Sequence, residues 1–162
     1  MAQARVTPSS SLTTDEVRAW RGMLRTHAAL TKALDAELEA AHGLLLTSYE
    51  VMLLLADEPD ERMRMSDLAD AVLLSRSGLT RLVDRMAAEG LLSRETCASD
   101  ARGAFACLTQ EGSERLAAAR RTHHVVVRAR FLDLISPQEQ QMLGACWERV
   151  LAPGDSEGAS CG

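Results

Sequence analysis

Between Ser66 and Leu108 the chain carries two short helical patterns followed by two short β patterns, an order that few folds accept. Leu68, Ala69 and Val72 are spaced as the apolar face of a short helix with Ser66 placed to cap it. After Leu73 and Leu74, Ser75 caps a second helix, predicted over 76–89 and stopped by Gly90. Leu91–Thr96 and Gly103–Leu108 read as strands, with Cys97–Arg102 as the turn between them. Helices this short are marginal alone and so is an isolated hairpin, so all four elements must share a core with something larger.

The flanking segments supply it. A Ser or Thr followed three residues later by Glu, which satisfies two orphan backbone donors at a helix start, occurs as Thr13/Glu16, Thr47/Glu50 and Ser136/Glu139. Pro137 takes the first helical position of the last of these. Helices are predicted over about 15–41, with Gly43 ending the first; from Ser48 to the break at Asp57–Glu61; from the Thr109 cap to about Leu134; and from Ser136 to Leu151. Asp57, Glu58, Asp60 and Glu61 lack a ligating spacing and read as a solvated loop. Residues 1–12 and 152–162, small and polar, read as disordered tails around a single domain at 13–151. The predicted fold is mainly α with a small β-hairpin wing: a winged helix-turn-helix core at 44–112.

Charge and composition narrow the function. The 162 residues are 46% hydrophobic and 25% charged, with no long apolar run and no secretory leader pattern, so a cytoplasmic protein without a membrane association is expected. Aromatic residues are only 3%, which argues against stacking of single-stranded bases. No nucleophile elbow, phosphate-binding Gly loop or metal spacing is present, so no catalytic residue, metal ligand or cofactor is assigned. The four cysteines form no CxxC or CxxxC pair. Cys97, predicted in the wing beside Glu95 and Asp100, is expected to react weakly with peroxide, because neighbouring carboxylates raise a thiol pKa.

The net charge of −5 opposes phosphate binding, but the basic residues are not evenly spread. Along the second short helix Leu79, Leu82, Val83 and Met86 fall on one side, while Ser77, Thr80, Arg81 and Asp84 fall on the other, flanked by Arg76 and Arg85. Three arginines against one aspartate make a local charge of +2 between Ser75 and Ala88. An ordinary solvated helix with Arg81/Asp84 and Arg85/Glu89 pairs is the competing account of that face.

From Arg64 to Gly112 the run "MSDLADAVLLSRSGLTRLVDRMAAEGLLSR", then "DARG", then "LTQEG", resembles the MarR family of bacterial transcriptional regulators. The resemblance implies a homodimer, with residues 13–42 and 113–151 as dimerisation helices, that binds double-stranded DNA at a palindromic operator, acting as a repressor. It carries recognition-helix contacts onto Ser75, Arg76, Ser77, Thr80 and Arg81, with Arg85 beside them, and assigns Arg102 to the minor groove with Asp100 bracing the wing. Gly78 departs from the family, which usually has a helix former there, and Ala101 and Gly103 leave the wing with fewer charges. Family members often respond to small aromatic or phenolic effectors, for which Trp20, His27, Tyr49, Met52 and His123 are candidates by position and chemistry, each with core packing as its plainer role. The alternative is a winged-helix protein-interaction module with weak or no DNA binding.

Overall fold

The structure is a computed structural model describing residues 11–97 and 100–152, with the side chains of 96–103 outside the description; the predicted tails fall almost wholly outside it. The elements run α1 (Thr14–His42), α2 (Leu46–Asp57), β1 (Arg62–Arg64), α3 (Met65–Ala71), α4 (Arg76–Ala88), β2 (Leu92–Cys97), β3 (Asp100–Leu108), α5 (Gln110–Arg130), a 3-10 turn (Leu132–Leu134) and α6 (Pro137–Leu151). The mainly helical winged arrangement is as expected. Among the described residues no single helix is long and apolar enough to cross a membrane.

Local signals that close on themselves are realised. Thr13 and Glu16 form the reciprocal box at the start of α1, with the Thr13 N–H donating to Glu16 at 2.6 Å and the Glu16 N–H donating to the Thr13 hydroxyl at 3.3 Å. The Thr13 backbone N–H, with the Thr13 side chain beside it, favours the charged carboxylate and holds the Glu16 pKa below its usual value. Ser136 and Glu139 repeat the arrangement at α6. Gly43, at φ +66°, ends α1 in the left-handed conformation that glycine adopts without strain.

Two expected caps are not caps. Leu45 occupies the N-cap of α2, and the Leu46 N–H donates to the Asp35 carboxylate of α1 at 2.7 Å, so a tertiary neighbour replaces the Thr47/Glu50 box. Arg64 stands at the N-cap of α3, because a strand runs directly into this helix; Ser66 lies inside it, donating to Asp67 at 2.9 Å. That strand, β1, was not anticipated. It pairs antiparallel with β3, so the wing is the outer part of a three-stranded sheet of order β1-β3-β2 and not a free hairpin. The strands also reach further than predicted, which places the backbones of Asp100 and Arg102 in β3 instead of in the turn. Finally, α5 stops at Arg130 and not near Leu134: Phe131 leaves helical geometry, and the Gln140 amide donates to the Leu132 and Ile135 carbonyls, fixing the corner into α6.

The core lies where the end of α1, α2, α3, α4, the sheet and the start of α5 meet. Leu38, Val51, Met52, Leu55, Leu68, Leu79 and Val83 are wholly buried there. Burying side chains of this size stabilises by roughly 1.5–3 kcal/mol each, so the winged unit is firmly built. The outer helices differ. No residue of α6 is buried, and Trp20, Val125, Met142, Val150 and Leu151 lie exposed, the last at 79%.

Candidate nucleic-acid interface

α4 separates its faces as the periodicity predicts. Leu79, Leu82, Val83 and Met86 are buried, while Arg76, Ser77, Arg81, Asp84 and Arg85 are exposed and Thr80 is half-buried. The Ser75 hydroxyl accepts from the Gly78 N–H at 3.1 Å and lies 3.3 Å from the Ser77 hydroxyl, so Ser75 starts the helix and holds the exposed Ser77 side chain. The Thr80 hydroxyl donates to the Arg76 carbonyl at 2.9 Å, which leaves its oxygen lone pairs able to accept. Arg102 and Asp100 lie on β3, but their side chains fall outside the described residues.

The intrahelical pairs that would have marked an ordinary solvated face do not form. Asp84 is taken by Arg94 of β2 at 2.6 Å, and Arg81 and Arg85 make no ion pair among the described residues. Arg94 was missed by sequence reasoning, although strand parity carries a signal: it shares the face of Leu92, which is buried against α4, so its guanidinium emerges over that helix. Arg94 also lines a groove of about 280 Å³ between α4 and the sheet, together with Arg64, Arg76, Ser66 and Thr80.

What fixes α4 relative to α5 is the segment around Gly90 and Thr109. The Thr109 hydroxyl donates to the carbonyls of Gly90 (2.7 Å) and Leu91 (3.0 Å) and accepts from the Gly112 N–H at 3.0 Å. One threonine therefore caps α5 and binds it to the segment that ends α4.

Residues 42–103 match the sequence model of the MarR family. AbsC, a MarR family transcriptional regulator from Streptomyces coelicolor of known crystal structure, is 37% identical, with a TM-score of 0.80 over 88% of this chain and 95% of that one. The chain belongs to the MarR family. Sco3205, a MarR family transcriptional regulator from the same organism, solved in complex with DNA, is 33% identical with a TM-score of 0.84, covering 94% of this chain and 97% of that one. The HTH-type transcriptional repressor YetL of Bacillus subtilis (strain 168) is 30% identical over 115 residues, 68% of each chain. This MarR-family chain is accordingly a transcriptional regulator with a winged-helix fold.

The five candidate effector residues are only partly brought together. Tyr49 of α2 is buried and stacks on His123 of α5, ring centroids 4.7 Å apart and planes at 17°, and Met52 is wholly buried in the same core. Trp20 and His27 lie exposed on α1. None of the five lines the groove beside α4 or the cleft of about 470 Å³ between α1 and α5.

His123 carries a pH consequence. Its Nδ1 is buried with no hydrogen-bond partner among the described residues, and burial, with His124 nearby, lowers its pKa. The unfolded chain then binds a proton that the folded chain refuses, so stability present above the ordinary His pKa, about 6.5, is lost as pH falls below it. In thermal melts between pH 7 and 5, His123→Phe is expected to keep the stack on Tyr49 and lose part of the acid dependence. A variant as acid-sensitive as the wild type would assign that dependence to other groups.

Proposed function

We propose that this chain is a homodimeric repressor that binds an inverted-repeat operator, with α4 in the major groove and the β2–β3 wing at the adjacent minor groove. The observation that carries this is the outer face of α4: Arg76, Arg81 and Arg85 exposed, with its lone carboxylate drawn off by Arg94. Arg suits bidentate contact with guanine, and Ser77 and Thr80 suit phosphates or base edges. Ser75, Arg102 and Asp100 complete the set, the last as support for the wing. Repression is supported by YetL, a transcriptional repressor, and DNA binding by Sco3205, solved with DNA.

Homodimerisation through 13–42 and 113–151 is supported by the apolar residues that α1, α5 and α6 leave exposed, since faces of this kind mark protein contacts. Two-fold symmetry then sets half-sites about 10 bp apart centre to centre. Release by a small aromatic or phenolic effector requires a ligand that prefers the conformation with wrongly spaced recognition helices. Of the five candidate residues, Tyr49 and His123 are the two whose rings the fold brings into contact. The cell compartment that fits this function is the cytoplasm.

The test is a salt titration of the purified protein on the intergenic DNA beside its own gene, with an unrelated duplex as competitor. Specific binding at two chains per inverted repeat, with a steep fall in affinity as salt rises, is expected. Equal weak binding to both duplexes would favour the interaction-module alternative.

A further inference from the structure

The groove beside α4 is set between the two parts of the protein that are proposed to touch DNA. Its walls come from five elements: Arg64 from the end of β1, Met65 and Ser66 from α3, Arg76 and Thr80 from α4, Arg94 from β2 and Ala104 from β3. Three of these seven residues are arginines and none is an acid, in a protein whose net charge is −5. Arg64 is steadied by lying over the Phe105 ring, 5.1 Å from its centroid, and Arg94 by Asp84 at 2.6 Å. Guanidinium groups held in place by packing lose less side-chain freedom when they take up an anion.

In B-form DNA a single sugar–phosphate strand separates a major groove from the neighbouring minor groove. If α4 occupies the first and the wing the second, that strand crosses the gap between them, and the gap is this groove. We propose that Arg64 and Arg94, with Arg76, form a clamp for a backbone phosphodiester of that strand, fixing the register of the recognition helix without reading bases. The inference rests on the DNA-binding assignment above and adds two residues outside α4 and the wing tip. Arg94 then has two partners of the same sign: Asp84 holds it when DNA is absent and competes with the phosphate when DNA is present.

The clamp makes a signature that a merely structural Arg94–Asp84 tie does not. Each phosphate contact contributes about 0.9 to the slope of log affinity against log salt, and its loss weakens binding equally on every sequence. Arg64→Gln and Arg94→Gln are each expected to lower that slope by about one and to weaken binding to the operator and to an unrelated duplex by the same factor, roughly 3- to 10-fold at moderate salt. Asp84→Asn, which breaks the same ion pair from the other side, is expected to tighten binding or leave it unchanged. Methylphosphonate substitution, scanned along the strand between the major-groove half-site and the minor groove, should reveal one linkage whose neutralisation weakens the wild type but not Arg94→Gln.

An unchanged slope in both arginine variants overturns the clamp. So does an Asp84→Asn loss as large as that of Arg94→Gln, because the pair would then act as a structural brace. Wild-type protein that binds neither duplex overturns the DNA-binding assignment and the clamp together, whereas specific wild-type binding with unaltered variants overturns the clamp alone.

Discussion

Gly112→Ala is expected to destabilise the protein by about 3 kcal/mol, with the melting temperature falling by roughly 10 °C in far-UV circular dichroism. A Cβ built on Gly112 meets the Leu91 carbonyl oxygen at 2.1 Å and the Leu108 side chain at 2.8 Å. The oxygen cannot step aside cheaply. It accepts from the Thr109 N–H at 3.2 Å and the Thr109 hydroxyl at 3.0 Å, and Thr109 is in turn bonded to the Gly112 N–H. Room for the methyl group therefore comes only by opening the junction of α4 and α5, at the overpacking cost of about 1–3 kcal/mol plus about 1 kcal/mol for each hydrogen bond given up. A melting temperature within 2 °C of wild type would show that the junction yields more easily than its geometry implies.

The same junction explains which parts of the fold were legible in the sequence. Thr13, Ser75, Thr109 and Ser136 each cap a helix through bonds to residues three positions away, so the relevant chemistry sits in a few consecutive letters. Thr47 and Ser66 carry equally good letters and fail, because Asp35 of α1 reaches the start of α2 first and because β1 delivers the chain directly into α3. β1 itself is three residues long and exists only through its pairing of Met63 with Ala106 and its flanking neighbours, a contact no local pattern encodes. Leu73 adds a local conflict: a large apolar residue, 91% exposed, at φ +54° in the turn before α4, where the left-handed backbone costs about 1–2 kcal/mol without glycine.

The candidate site divides along the same line. A period of 3.6 suffices to put Arg76, Arg81 and Arg85 outside and Leu79, Leu82, Val83 and Met86 inside. Convergence of Arg64 and Arg94 on α4 depends on sheet order and strand parity together, and neither is written in one segment. The stack of Tyr49 on His123 similarly joins α2 to α5 across the core. The resemblance to the family gave the class, a transcriptional regulator, because its motif runs through α4 and the Thr109 cap, whose signals are local.

Arg81→Ala and Arg102→Ala are expected to weaken operator binding by roughly 10- to 100-fold each, the equivalent of the 1–3 kcal/mol that a good base contact supplies. Arg81 is exposed at the middle of the outer face of α4 with no ion pair among the described residues, so its removal frees no buried charge and should leave the melting temperature near wild type. A base-reading arginine and a phosphate-clamping one part company on the unrelated duplex. Arg81→Ala should cut discrimination between operator and competitor by about that same 10- to 100-fold, since the lost contact exists only on the operator, while the Arg94 variant leaves the ratio unchanged. Arg102→Ala should cost most where the flanking minor groove is A·T-rich and narrow, because that is where negative potential concentrates. Gel-shift or anisotropy titrations on both duplexes, at matched salt, read the ratio directly. If both variants keep wild-type affinity and slope, the cationic face of α4 does not contact DNA, and the winged domain serves instead as a surface for another protein.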